Sequence, residues 1–291
     1  MTQEKEISFV GKGQASRLSS QQLRLASVEG VLGRWTGEGM VMKLKERLLN
    51  NSGQIFLEVC VIPSAVSTQA IASTGIDAVI IDQEHGAVST DQLHSMIAAT
   101  AGTDCAPLVR VAEKRAEYVK IALDMGAEGV VFPLIHNKEE AQQCVSMLKY
   151  PPSGKRGWGP FIAHSRWSTD LMNYKRLYEE RCVSILLIET EEAVKNIESI
   201  CAVEGVDAVF IAKFDLSTAL GISGNFEHKD FVSAVERVER VALAAGVPLG
   251  GGPVRNKLEF DDYVGRGYRL FANFDVLRLK NSIQENLSWK I

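Results

Sequence analysis

The sequence predicts an α/β chain, a (β/α)8 TIM barrel with an N-terminal extension. Three observations predict it. Short apolar runs alternate with amphipathic stretches over roughly 245 residues, enough for about eight strand–helix units. Glycine closes several of the helical stretches, at Gly75, Gly102, Gly126 and Gly246, where a helix C-cap favours it. Two acids, Glu189 and Asp215, stand at or just beyond the ends of apolar runs, as side chains at the mouth of a parallel barrel would. A doubly wound sheet is the alternative, and it is weakened because no Gly-rich phosphate fingerprint follows the first strand.

The elements follow in order. Residues 1–40 have turn-like composition, with Gly11, Gly13, Gly30, Gly33, Gly37 and Gly39 among polar residues, and read as an extension; the barrel takes 41–291. Met42–Leu49 is a short amphipathic helix. Strands are expected at Gln54–Val61, Asp77–Asp82, Ala106–Val111, Glu128–Pro133, Val183–Glu189, Val206–Ala212, Val247–Leu249 and Arg269–Ala272, because each is apolar and rich in branched residues. Helices are expected at Ser64–Thr74, Thr90–Ala101, Glu113–Met125, Lys138–Lys149, Glu191–Cys201, Phe231–Ala245 and Val276–Asn286. Ser153–Arg181 interrupts the rhythm and reads as irregular. Serial β-α units imply parallel strands and right-handed crossovers.

Composition narrows the function classes. Charged residues make up 23% of the chain and the net charge is -4, which gives no reason to expect nucleic acid or an anionic membrane as partner. No apolar run reaches the length of a membrane span. Cys60, Cys105, Cys144, Cys182 and Cys201 form an odd set without a CxxC pair, so buried free thiols in a reducing compartment are expected. Met1–Arg17 is polar and lacks the apolar core of a secretion signal. Cytoplasmic residence is the resulting expectation.

The residues that carry chemistry cluster at strand ends. Asp82-Gln83-Glu84-His85-Gly86 follows one strand and Arg110 ends the next. Histidine transfers protons near neutral pH, and a neighbouring carboxylate such as Asp82 can fix its tautomer. Asp124 is a polar residue late in an apolar helix; it bonds either neighbouring backbone or a partner such as His85 or Arg110. Glu189 and Asp215, on separate strands, can converge on one divalent cation, which prefers hard oxygen ligands. Gly250-Gly251-Gly252-Pro253 after a late strand is a tight turn or a phosphate cradle.

From about Leu44 to Leu287 the chain resembles the HpcH/HpaI aldolase/citrate lyase family. The resemblance rests on Ile80-Ile81-Asp82-Gln83-Glu84-His85-Gly86, Leu108-Val109-Arg110 and Ala122-Leu123-Asp124-Met125-Gly126-Ala127. It continues through Tyr150-Pro151-Pro152-Ser153-Gly154-Lys155-Arg156-Gly157, Ala163-His164-Ser165-Arg166-Trp167, Ile188-Glu189-Thr190, Val203–Ile211 and Asp215-Leu216-Ser217. It implies a homo-oligomer, a hexamer built as a trimer of dimers, with the last helix exchanged between neighbours. It implies class II aldolase chemistry on a 4-hydroxy-2-oxo acid, yielding pyruvate and an aldehyde. In that scheme Glu189 and Asp215 hold Mg2+, Mn2+ or Co2+, Arg110 stabilises the enolate oxygen, and His85 manages the C4 hydroxyl proton, oriented by Asp82 or Asp124. The stretch Arg156–Trp167 would line the rim.

The chain departs from the family where substrate is expected. Ala212-Lys213-Phe214 replaces the usual Gly-Pro-Ala, whose backbone receives the substrate carboxylate. Leu187 stands where glutamine is common, and Val111 and Ala112 replace prolines. Lys213 is either solvated or contacts the substrate carboxylate, pairs with Asp215, or forms a Schiff base if burial lowers its pKa. A barrel without turnover that binds a small 2-oxo acid is the non-enzymatic alternative.

Overall fold

A computed structural model of the chain describes residues 43–50 and 53–290; the extension read at residues 1–40 lies outside them. Eight parallel strands close into a barrel in sequence order: β1 Ile55–Cys60, β2 Ala78–Asp82, β3 Ala106–Arg110, β4 Gly129–Phe132, β5 Val183–Ile188, β6 Ala208–Ala212, β7 Leu249–Gly252 and β8 Leu270–Phe274. The final pairing, β1 with β8, leaves no free sheet edge.

Both faces of the sheet are buried, so the strands are apolar at nearly every position rather than alternating. Successive side chains point to opposite faces. Leu57, Val59, Ile80, Leu108, Ile185 and Leu187 fill the barrel interior. Val79, Ile81, Val109, Val130, Leu186 and Val209 face outward and pack beneath the helices. The helix Thr90–Ala98 shows how the sequence sets these elements: Ser89 accepts from the Gln92 backbone, and the Gln92 side chain returns the bond in a capping box.

Several expectations change. The Ser153–Arg181 stretch contains two helices, Ala163–Arg166 and Tyr174–Arg181. They pack Trp167, Tyr174 and Tyr178 into one aromatic cluster, which tertiary contact stabilises and local periodicity does not show. Glu191–Cys201 is two helices, Glu191–Lys195 and Ile197–Cys201, broken at Asn196, whose side chain donates to the His136 carbonyl. Two unforeseen helices, Lys213–Ala219 and Lys257–Gly265, flank the seventh strand; the second packs Phe260, Tyr263 and Val264 against the core without fully burying any of them. The glycine run Gly250–Gly252 is not a turn but lies within β7 itself. A Cβ on Gly250 would collide with the Phe210 ring, and one on Gly251 would sit 2.7 Å from the Tyr268 ring. Glycine is there to let large neighbours pack, a demand invisible in a linear reading.

Among the described residues, no helix is long and apolar enough to cross a membrane. All five cysteines are free and buried. The last helix, Asp275–Leu287, is tied to the barrel by polar contacts. Asp275 accepts from the backbone of Val61 and Ile62 at 3.1 Å each, and Arg278 Nε meets both oxygens of Glu58 at 2.8 and 2.7 Å. Its apolar side chains stay open, with Leu279 53% and Ile283 51% exposed.

Glu58 is 2% exposed, so losing its cation strands a buried charge. Arg278→Met is expected to destabilise the protein by about 1–3 kcal/mol in urea titration at pH 8, while Glu58→Gln/Arg278→Met costs less than the single change.

Candidate active site

The strand register builds the site. β2 and β3 pair Asp82 with Arg110 at their C-terminal ends. The guanidinium grips the carboxylate with two bonds: Nε to Oδ1 at 2.9 Å and Nη2 to Oδ2 at 2.5 Å. Asp82 is fully buried, and its Oδ1 also accepts from the backbone of Glu84 at 3.0 Å and of His85 at 3.3 Å. The chain therefore folds back over its own aspartate. Gly86 completes that fold, because any Cβ there would strike the Asp82 carbonyl. The backbone bonds leave the His85 side chain 65% exposed at the mouth.

This arrangement corrects one expected role. Asp82 spends both oxygens on Arg110 and the loop backbone, so it orients the guanidinium rather than the imidazole. The carboxylate nearest the ring is Glu84, with Oε1 3.8 Å from His85 Nε2 and Oε2 3.4 Å from Arg110 Nε. Burial raises the Glu84 pKa, opposed by Arg110 and His85 and reinforced by Asp82 and Asp215. Its Oε2 is buried without a hydrogen-bond partner. Glu84 was not among the sequence candidates; the signal was a second acid two residues past the strand-end aspartate, directly before the histidine.

Glu189 follows β5 and is 4% exposed. One oxygen accepts from the backbone N–H of Leu134, a residue in the left-handed region at φ 53°. Burial pushes the Glu189 carboxyl up to about 7, aided by the negative charges of Glu84 and Asp215; the Leu134 N–H and Arg110 oppose the shift. Asp215 is exposed in the first turn of Lys213–Ala219, just past β6. A cavity of about 70 Å³ lies beside Asp215, with Arg110, Leu187, Ala212, Lys213, Phe214 and Asp215 in its wall.

Two sequence candidates behave differently. Among the described residues Asp124 bonds neither backbone nor His85 or Arg110; its partner there is Arg156, at 3.0 Å, amid Tyr150, Tyr174 and Tyr178. Lys213 lines the cavity but does not pair with Asp215. Its ammonium lies 3.4 Å from the Pro253 carbonyl and 5.2 Å from the Phe226 ring centre. Burial lowers its pKa, Glu259 opposes that, and Arg255 adds to it.

Among the described residues, no group of three or more His, Cys, Asp or Glu could hold a metal ion. The candidate set is the pair Glu189 and Asp215. Two carboxylates suit a magnesium-like ion, which keeps several waters and takes further oxygens from substrate.

Comparison with known proteins places the chain in a family. Residues 62–270 match the model of the HpcH/HpaI aldolase/citrate lyase family. The chain belongs to that family. It is 33% identical over 210 residues to the pyruvate aldolase of Rhizobium etli, covering 72% of this chain and 82% of that one. It is 36% identical over 187 residues to the 2-dehydro-3,6-dideoxy-6-sulfogluconate aldolase of Pseudomonas putida, covering 64% and 73%. A family structure from Burkholderia cenocepacia J2315 superposes with a TM-score of 0.78 at 28% identity, covering 85% of this chain and 98% of that chain.

The raised Glu189 pKa has a definite sign. Folded protein holds a proton that unfolded chain releases, so this group's contribution to stability falls as pH rises from the ordinary 4.5 to about 7. In chelator, Glu189→Gln is expected to be about 1–3 kcal/mol more stable than wild type at pH 8 and equal to it near pH 4, by urea titration at each pH.

Proposed function

We propose that this chain is a divalent-metal-dependent aldolase that cleaves a 4-hydroxy-2-oxo acid to pyruvate, or a related 2-oxo acid, and an aldehyde. The observation that carries this reading is that buried Glu189 lies within the field of both Asp215 and Arg110, that Arg110 and Asp215 line one apolar-walled cavity, and that Glu84 links Arg110 to His85. The family and the aldolases it resembles support the same reaction class.

The donor set fits a hard cation. Glu189 is buried, its partners are one backbone N–H and a distant guanidinium, and its neighbours Glu84 and Asp215 are acidic. A cation between Glu189 and Asp215 would relieve that strain of like charge. Mg2+, Mn2+ or Co2+ are the ions that carboxylate oxygens suit. Bound there, such an ion supplies Lewis-acid polarisation of the 2-oxo group.

The chain's own residues do the rest. Arg110 is held rigid by Asp82 and retains Nη1 to stabilise the enolate oxygen. His85 takes the proton of the C4 hydroxyl during cleavage, with Glu84 setting the ring's orientation. The backbone of Ala212–Phe214 receives the substrate carboxylate. The open apolar face of the last helix supports association with further copies, and a hexamer is the assembly we infer. Five buried free thiols support a reducing, cytoplasmic setting.

A Schiff-base reaction at Lys213 has one observation in its favour, the lowered pKa of its ammonium. Its hydrogen bond to Pro253 and its seat over Phe226 favour the charged form instead.

Exchange of the pyruvate methyl protons with D2O, followed by NMR, separates these readings. Exchange is expected with Mn2+ or Mg2+, to stop in EDTA, and to fall at least about 100-fold in Glu189→Gln. Lys213→Met is expected to keep exchange, and borohydride to leave no pyruvate adduct. Chelator-insensitive exchange with an adduct would establish the Schiff base; no exchange at all would leave a binding barrel. His85→Ala is expected to lose about 10²–10⁴ in cleavage of a 4-hydroxy-2-oxo acid, measured as pyruvate release.

A further inference from the structure

The cavity below the site is polar only at its mouth. Arg110, Lys213 and Asp215 stand at the top, with the Ala212 backbone beside them. Its floor is Val59, Ile80, Val131, Ile185, Leu187 and Phe210, all interior barrel side chains. No floor side chain can donate or accept a hydrogen bond. A hydroxyl or carboxylate pushed down there would lose its water without replacement. One water needs about 10–15 Å³ of such space, so a cavity of about 70 Å³ has room for a few heavy atoms.

Arg110 and Asp215 bracket the place where the enolate forms under the aldolase reading. The donor's C3 substituent is the part of the molecule that can enter the floor. We propose that the enzyme selects a 2-oxo acid whose C3 bears a small alkyl group, such as 2-oxobutanoate, over pyruvate, and that Leu187 sets this selection. The inference rests on the aldolase reading for the placement of the donor. Leu187 is 4% exposed and sits two residues before the acid Glu189, so its side chain meets the cavity directly under the carboxylate layer. A methylene moved from water into such a floor favours binding about fourfold, and apolar pockets separate homologues by roughly 10-fold or more.

The test compares deuterium exchange at C3 of 2-oxobutanoate and of pyruvate. In exchange, a C3–H bond gives its proton to a base and C3 takes a deuteron back from solvent, with no change of oxidation state. With Mn2+-loaded full chain, KM for 2-oxobutanoate is expected to be about four- to tenfold below KM for pyruvate. Leu187→Gln, which places an amide in the floor, should bring the ratio to one or below it. Leu187→Phe fills the space without adding polarity and should lower the ratio as well, which guards against a misfolded glutamine variant. Calorimetric titration of the same protein with each acid reads the preference without turnover. Equal or weaker affinity for 2-oxobutanoate in the wild type, or an unchanged ratio in both variants, overturns the inference. Preference in binding with no exchange of either acid supports the cavity's selectivity and overturns the aldolase reading alone.

Discussion

Everything at the mouth of this barrel turns on a carboxylate that is almost wholly buried. Glu189 is 4% exposed at the tip of β5, within the field of two other acids, and its charge is costly in the absence of a cation. Folding does not choose such an arrangement for its own sake. The apolar strands β5 and β6 pack well on both faces, and the acids stand where those strands end. The stability that the core supplies is large enough to hold a site that is locally unfavourable, which is how catalytic groups keep shifted pKa values.

The second constraint is the Asp82–Arg110 pair. It couples two adjacent strand ends through a bidentate contact, and the same aspartate pins the backbone of Glu84 and His85. One buried side chain thereby sets the direction of a guanidinium and the position of an imidazole. The histidine is left exposed to substrate while its loop is rigid. Glu84 lies between the imidazole of His85 and the guanidinium of Arg110, at 3.8 and 3.4 Å, so the mouth is a network rather than a set of separate residues.

Much of this was legible in the sequence. The barrel follows from serial apolar runs because a two-sided sheet needs them, and the acids at 189 and 215 stand out because each follows closely on such a run. Asp82 and Arg110 were visible as site residues, but their mutual bond depends on the β2–β3 register, which no local pattern encodes. Asp124 misled because Arg156, its partner at 3.0 Å, arrives from a loop 32 residues away. Lys213 reads as a substrate contact or an ion-pair partner in sequence, yet the Pro253 carbonyl and the Phe226 ring hold its ammonium. Gly250–Gly252 reads as a turn because glycine usually marks one; here large rings across the sheet require it. What sequence misses in each case is a long-range contact.

The account predicts a single place for a cation. Crystals of the protein grown with Mn2+ and oxalate, with an anomalous difference map collected at the manganese edge, test it most directly. The map should show one peak bonded to carboxylate oxygens of both Glu189 and Asp215, with oxalate completing its ligands below Arg110. A peak touching only one of the two acids, or an ammonium from Lys213 standing between them, would contradict it.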